Sequence, residues 1–235
     1  AEQAVNAIYS HLRNFNVHVF SYIGITDIAS DDADKGSVPG DAGFLQDVND
    51  FTFDANNGAV TGVWSGYYQG VFRANQVLAK IDRIEMDQEL KTRLTAEARF
   101  LRAYFYFFLV RTYGDIPLID RPLNPDEYRQ PRVSKDQIYA FIEDDLSFAA
   151  ANLPEKSAYA AADLGRATAG AAKAFLAKAH LFQNDFPVHL ILLTCHYVSS
   201  SIFKANRHYY TRIGSSGRSA HGCIGCHPQT HITLG

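Results

Sequence analysis

The stretch that decides the fold is AEARFLRAYFYFFLVRTYGDIP, residues 96–117. Its middle part, residues 100–110, is apolar on nearly every side of a helix, and such a helix must be covered by other helices on most sides. Gly114 can adopt a positive φ and Pro117 cannot continue a helix. The pattern therefore predicts a buried helix over residues 88–113, with several further helices packed around it.

Four other helices are predicted from the spacing of apolar residues. These residues recur at helical intervals, and no alternating pattern indicates a ladder of strands. One of the helices opens with a capping box, in which Ser134 is followed three residues later by Gln137. We expect an all-α fold of stacked antiparallel helices without a clean 34-residue repeat. The predicted helices cover residues 1–13, 58–84, 88–113, 134–153 and 168–184.

Three charged residues, Glu97, Arg99 and Arg102, lie within the central apolar stretch. Because Arg99 and Arg102 are three residues apart, they share a face of the helix. The neighbours of all three are aromatic core residues and not a polar cleft. We interpret them as structural charges that pair with each other and with neighbouring helix ends, and not as an active site.

The composition changes sharply after residue 186. All 25 acidic residues precede Pro187, whereas residues 187–235 hold all three cysteines and six of the nine histidines. Residues 1–186 carry 18 basic and 25 acidic side chains, a net charge of −7, and the tail carries a net charge of +4. This break indicates that residues 1–186 and residues 187–235 are not parts of one design. We expect the function in residues 1–186.

The body of the chain excludes two classes of protein. Its mildly acidic charge offers no basic stripe for a nucleic acid, and no run of 18 apolar residues is present to span a membrane. The chain begins at Ala1 and its single methionine is Met86, so it shows no signal peptide and no lipid-acceptor cysteine near its start. We expect a processed or excised segment.

Four ordered stretches form a recognisable set. They are WSGYY (64–68) with RANQVL (73–78); AEARFLRAYFY (96–106) with YGDIPL (113–118); IY (138–139) with IEDDL (142–146) and LP (153–154); and GRAT (165–168) with AAKAFLAK (171–178). Together they resemble the SusD/RagB family of outer-membrane nutrient-binding lipoproteins. The resemblance covers residues 1–186 and does not extend to the tail.

This resemblance implies a TPR-like helical scaffold that binds a glycan or another nutrient, catalyses no reaction and carries no cofactor. It also implies a place on the cell surface, over a TonB-dependent outer-membrane transporter of the SusC kind. Membrane association would use an N-terminal lipid anchor that is absent from this chain. Family members are much longer and their C-terminal half contributes much of the ligand site, so we expect a truncated form.

The candidate ligand-binding residues lie in the polar loop Ser30–Asn57 and on the helix that follows it. A sugar site needs several placed donors and acceptors together with an aromatic platform. The loop would supply the polar groups of Asp32, Asp34, Lys35, Asp47, Asn49 and Asn56, and Trp64 would supply the platform. Two alternatives stay open: the loop is a solvated surface, or Trp64 is a core residue beside Tyr67 and Tyr68.

The same loop begins like a calcium-binding loop, with Asp32 and Asp34 two residues apart. An EF-hand is excluded, because its fifth position is Gly36 and its twelfth is Gly43 instead of glutamate. A looser calcium site remains an alternative.

The tail contains Cys223, Cys226 and His227, which match the C-x-x-C-H pattern of haem attachment. Together with Cys195 and nearby histidines, the same residues also match the ligand types of a zinc site. Either site needs a fold that presents its ligands, and the tail offers mainly polar sequence rich in serine and glycine. We expect no cofactor. Because the family match stops where the acidic residues vanish, we interpret residues 187–235 as a frameshifted, poorly ordered tail.

The favoured function is a cell-surface protein that binds a glycan or nutrient and delivers it to a SusC-like transporter. The main alternative is a helical-repeat module that binds a protein partner and no small molecule. A third, a metal- or haem-binding redox protein, depends only on the tail.

Overall fold

The described part of the chain is built from helices arranged around one central helix. The computed structural model describes residues 1–184, so Cys223, Cys226 and His227 lie outside the described residues. The described α-helices are α1 (Glu2–His11), α2 (Ser21–Ile23), α3 (Gly43–Asn49), α4 (Gly58–Leu78), α5 (Gln88–Tyr113), α6 (Lys135–Asn152) and α7 (Ala169–Phe182). Residues 1–184 contain no β-strand, and the predicted all-α fold is confirmed. In this part of the chain, no helix has both the length and the apolar character of a membrane span.

The centre of the core is α5. Its side chains Phe105, Tyr106, Phe107 and Leu109 are fully buried. The helices α4 and α6 pack against α5, and α7 packs in turn against α6. This arrangement explains why α5 is apolar on nearly all sides, since it has neighbours on more than one face.

The long helices begin and end at the signals present in the sequence. Asp87 caps α5 by accepting a hydrogen bond from the Leu90 N–H at 2.9 Å. Ser134 and Gln137 form the predicted capping box of α6. At the other end of α5, Gly114 adopts a φ of 71°, which a side chain would disfavour.

Residues 15–28, after α1, are largely helical, although the sequence pattern did not predict it. Two π-helical turns, Phe15–Val19 and Gly24–Ile28, flank the short α2. The first turn carries His18, whose Nε2 lies 2.8 Å from the Tyr104 hydroxyl and whose Nδ1 lies 3.2 Å from the Tyr67 hydroxyl. The turn is therefore tied to both α4 and α5.

Glycines allow α4 to approach its neighbours closely. A Cβ at Gly70 would lie 2.6 Å from the ring of Phe105, and a Cβ at Gly62 would lie 2.6 Å from the Ser21 hydroxyl. With Gly66 between them, these glycines repeat every four residues and share one face of the helix. The π-helical segment and α5 occupy the space that side chains would otherwise fill.

The polar stretch 30–57 is less irregular than expected, because it contains α3. Leu45 and Val48, three residues apart, are buried on one side of this helix. They pack with Ala59 of α4 in a small apolar cluster. The rest of the stretch leads to Asn57, which caps α4 through its side chain.

Candidate ligand-binding site

A cavity opens between α4 and the segment that follows α5. Its volume is about 360 Å³, within the range of small-molecule sites. We call it the aromatic cavity. It is lined by Trp64, Tyr68, Val71, Phe72, Asn75, Pro117, Ile119, Arg121, Leu123, Tyr128 and Gln130.

Hydrogen bonds hold the wall after α5 against the helices. The Tyr68 hydroxyl donates to the Pro117 carbonyl at 2.7 Å, and the Asn75 amide donates to the Ile119 carbonyl at 2.8 Å. The Tyr106 hydroxyl donates to the Ile119 carbonyl at 2.9 Å and accepts from the Ile119 N–H at 2.7 Å. Because α4 and α5 both bind this wall, the cavity is preformed.

Aromatic rings give the cavity its character. Trp64 is half-buried, with ring centroids 4.8 Å from Tyr68 and 5.0 Å from Tyr113. Phe72 and Tyr128 are exposed, at 55% and 67% of their surface. Exposed rings of this kind combine an apolar face with, in Tyr128, a polar hydroxyl. They can stack on the apolar C–H face of a sugar ring.

The turn that carries Tyr128 is fixed by charge. The Arg121 Nη1 donates to Glu127 Oε2 at 3.0 Å, and that oxygen also accepts from the Asn124 N–H at 2.9 Å. The hydrogen bond from Arg121 lowers the pKa of Glu127 to about 2. Glu127 is therefore ionised at neutral pH, and its carboxylate keeps Arg121 and the turn together at the edge of the cavity.

Arg102 contacts a lining residue of this cavity, and both Arg99 and Arg102 are structural charges, as predicted from the sequence. Arg102 donates to the Asn75 Oδ1 at 2.9 Å, which orients the Asn75 amide towards the cavity wall. Both arginines also bind the fully buried Asp145 of α6, through Arg99 Nε at 2.6 Å and Arg102 Nε at 2.7 Å. The predicted partners were wrong: the arginines pair with a residue inside α6, and not with Glu97 or with a helix end.

Glu97 belongs to a second buried cluster. Its Oε2 accepts from Arg166 Nη1 at 2.9 Å, and its Oε1 lies 3.6 Å from Arg93 Nε. Burial raises the pKa of Glu97, and the Arg166 charge opposes that shift. Neither Glu97 nor these arginines line the aromatic cavity. This cluster joins α5 to the connection before α7.

The predicted loop residues occupy a different surface. The exposed ones are Asp32, Asp34, Asp47 and Asn56, while Lys35 and Asn49 are half-buried. The Lys35 N–H donates to Asn49 Oδ1 at 3.2 Å, so these two residues are neighbours. Within the described chain, no residue of 30–57 lines the aromatic cavity. The structure therefore does not bring the loop residues together with Trp64 in that cavity.

Several residues that line the aromatic cavity were not predicted from the sequence as ligand-binding residues. Tyr68 and Phe72 follow Trp64 at intervals of four residues, a spacing that could have indicated an aromatic stripe. Tyr128 had no comparable signal, because it lies in a turn far from α4 in the chain. As for metals, the described residues hold no group of three or more His, Cys, Asp or Glu side chains arranged to bind an ion.

The described part of the chain is an all-helical scaffold with a preformed aromatic cavity. Residues 6–181 match the family model of SusD-like proteins, described as starch-binding and associating with the outer membrane. Because this match covers most of the chain, the chain belongs to the SusD-like family, whose members bind carbohydrate and are not enzymes.

Three comparisons illustrate the relationship. A SusD-like protein of Bacteroides ovatus is 36% identical over 131 residues, which are 54% of this chain and 23% of that protein. A laminarin-binding SusD-like protein of known structure superposes with a TM-score of 0.75 at 32% identity, over 82% of this chain and 41% of its own. A crystal structure with xylogluco-oligosaccharide superposes with a TM-score of 0.58 at 32% identity, over 76% of this chain and 34% of its own. This chain thus spans well under half of each of them.

Proposed function

We propose that the aromatic cavity binds a glycan. The observation that carries the proposal is a group of aromatic rings around a cavity of about 360 Å³ in a chain of the SusD-like family: Trp64 is half-buried, and Phe72 and Tyr128 are exposed. Volumes of this order hold a small ligand. The cavity would accept one or two sugar units of a longer chain.

The polar groups of the cavity would orient the sugar. Arg121 and Gln130 line it beside Tyr128, and sugar hydroxyls can accept from a guanidinium or exchange hydrogen bonds with an amide. Few polar groups placed among apolar ones are typical of specific small-molecule sites. The relatives described with laminarin and with a xylogluco-oligosaccharide support a β-glucan as the first ligand to test.

The binding test compares two aromatic residues of equal exposure. Tyr128 in the cavity and Phe51 in the polar stretch are each 67% exposed. Calorimetric titration with laminarin and xyloglucan oligosaccharides should show binding that Tyr128→Ala weakens about tenfold and Phe51→Ala leaves unchanged, since stacked aromatic contacts contribute about 1 kcal/mol or more. Trp64→Ala should weaken it further.

Two results would reject this assignment. If Tyr128→Ala and Trp64→Ala bind as the wild type while Phe51→Ala does not, the ligand surface is the stretch 30–57. If no oligosaccharide binds at all, the alternative of a helical module that recognises a protein gains ground. Circular dichroism of each variant separates lost binding from lost folding.

The polar stretch remains a second proposed contact surface. Its exposed Asp32, Asp34, Asp47 and Asn56, with Lys35 and Asn49 beside them, offer hydrogen-bonding groups to a glycan that extends beyond the cavity. A combined Asp47→Ala and Asn56→Ala variant should weaken binding of long oligosaccharides and leave that of a disaccharide unchanged. Equal binding of long oligosaccharides by wild type and variant would remove the stretch from the site.

For the whole protein we propose cell-surface glycan capture and delivery to a SusC-like TonB-dependent transporter. The support is the outer-membrane association of the family. Attachment to that membrane would use a lipid on an N-terminal cysteine of the full-length protein. Co-purification of a tagged full-length protein with an outer-membrane transporter tests delivery, and a tagged protein that recovers no transporter from solubilised membranes contradicts it.

A further inference from the structure

A second cleft lies between the end of α1 and the middle of α4. Its volume is about 330 Å³, and it is lined by Ala7, Ser10, His11, Arg13, Asn14 and Arg73. No acidic residue is among them. We call it the arginine cleft, because two arginines distant in sequence, Arg13 and Arg73, both line it.

The two arginines of the cleft are not neutralised by the described chain. Within residues 1–184, neither Arg13 nor Arg73 forms an ion pair or a side-chain hydrogen bond, whereas Arg93, Arg102 and Arg166 are all paired with carboxylates. The Ser10 and His11 carbonyls at the end of α1 already accept backbone hydrogen bonds, from Arg13 N at 3.1 Å and from Asn14 N at 2.9 Å. Both guanidinium groups are therefore free to bind a ligand.

Asn14 is a further group in the cleft that favours an anion, whereas His11 is engaged elsewhere. The Asn14 side-chain oxygen accepts from the Asn16 N–H at 3.0 Å, which leaves the Asn14 amide N–H groups as donors. His11 Nε2 is 2.7 Å from the Gly66 carbonyl and must donate to it. Burial lowers the pKa of His11, and the nearby Arg73 charge lowers it as well.

The arginine cleft adjoins the aromatic cavity along α4. Phe72 lines the aromatic cavity and also a groove between α1 and α4, and Arg73 lines both that groove and the cleft. The remaining groove residues are mainly apolar or small, including Ala4, Val77 and Ile81. One extended ligand could follow this surface from the rings to the arginines.

We propose that the arginine cleft binds a carboxylate or sulfate group. Planar guanidinium groups recognise such anions through charge-assisted hydrogen bonds, which are stronger than neutral ones. The anion belongs either to an acidic sugar of the glycan in the aromatic cavity or to a free ion. The first source rests on the proposed glycan function, whereas binding of a free anion does not.

Titration with sodium sulfate and with D-glucuronate at constant ionic strength tests the proposal, with D-glucose as the neutral comparison. Calorimetry and chemical-shift changes should show saturable binding of both anions and none of D-glucose. Arg13→Ala and Arg73→Ala should each weaken it about tenfold, because each variant removes charge-assisted hydrogen bonds to the anion. Arg83→Ala is the matched control, since it removes an exposed arginine that does not line the cleft. It should bind as the wild type.

Titration with tetragalacturonate shows whether the bound anion is the acidic unit of a glycan or a free ion. If Trp64→Ala weakens tetragalacturonate binding but leaves sulfate binding intact, the cleft receives the acidic unit of a glycan held by the cavity. If Trp64→Ala binds tetragalacturonate as the wild type does, and Arg73→Ala binds it more weakly, the cleft binds anions without the aromatic cavity. The anion site is then supported, and the glycan proposal depends on the laminarin and xyloglucan titrations alone. Absence of saturable anion binding, or equal binding by wild type, Arg13→Ala and Arg73→Ala, overturns the proposal.

Discussion

Arg102 of α5 and Asp145 of α6 form a bidentate ion pair inside the core. The Arg102 Nε lies 2.7 Å from Oδ2 and the Nη2 lies 2.9 Å from Oδ1. The Asp145 side chain is fully buried and that of Arg102 is 8% exposed. Since Arg102 also holds Asn75 and the Asp120 carbonyl, this pair connects α4, α5, α6 and the wall of the aromatic cavity.

Replacing Asp145 by alanine should destabilise the fold by about 3–5 kcal/mol, because it leaves Arg102 buried without its counter-charge. Asp144→Ala is the matched control: Asp144 also pairs with Arg99, but its side chain is 74% exposed. Its loss should cost at most about 1 kcal/mol. Urea unfolding of the three proteins measures both values. A similar midpoint for the two variants would contradict the structural role of Asp145.

Two glycine substitutions should have opposite effects. Alanine favours a helix over glycine by about 1 kcal/mol, but a Cβ at Gly70 would lie 2.6 Å from the fully buried Phe105 ring. Gly70→Ala should therefore destabilise by about 1–3 kcal/mol through overpacking. At Gly170 of α7 the closest atom to an added Cβ is 3.9 Å away, so Gly170→Ala should stabilise by about 0.4–1 kcal/mol. Thermal unfolding gives the sign of each, and a gain at Gly70 would show that α4 and α5 can separate.

Acid should weaken the fold through His11, which is buried, and His18, which is half-buried. Burial lowers the pKa of His11 and His18 below the ordinary value of 6.5. Because the unfolded chain then binds more protons than the folded one, their stabilising contribution is complete above pH 6.5 and is lost as the pH falls towards their folded pKa. Unfolding free energies measured between pH 7.5 and 5 should decline, with a smaller slope in His18→Gln.

Glu97 acts in the opposite sense and serves as the control for that slope. Burial raises its pKa above the ordinary 4.5, so its ionisation opposes folding as the pH rises from 4.5 through its folded pKa. Glu97→Gln should therefore steepen the decline in stability as the pH falls towards 4.5, whereas His18→Gln flattens the decline below pH 6.5. Identical slopes in both variants would contradict the assignment of the buried charges.

The tail leads to a prediction about the gene. We propose that residues 187–235 are not part of the SusD-like domain, because the family match ends at residue 181 and every acidic residue precedes Pro187. Sequencing of the coding DNA should reveal another frame near codon 186 that continues with acidic residues and a family-like helix. If neither alternative frame yields such a continuation, the frameshift interpretation is wrong.

The sequence by itself determined the helices that have strong local signals. The apolar run in α5, the capping box at Ser134 and the turn at Gly114 each depend on residues close together in the chain, so their physics can be read locally. The SusD-like membership followed from the same stretches. For Trp64 the sequence left two alternatives, a sugar platform and a core residue. The structure shows features of both, since the half-buried Trp64 packs on Tyr68 and Tyr113 and still lines a cavity.

Only the tertiary structure decided which distant groups meet. Three relationships join residues that are tens of positions apart in the chain. Asp145 pairs with Arg102, the π-helical turn places His18 beside Tyr104, and Tyr128 lines the same cavity as Trp64. Local periodicity predicts which face of a helix is buried, but not which neighbour covers it. Buried charges and cavity walls are set by the packing of several helices at once, and for that reason the aromatic cavity and the arginine cleft became visible only in the fold.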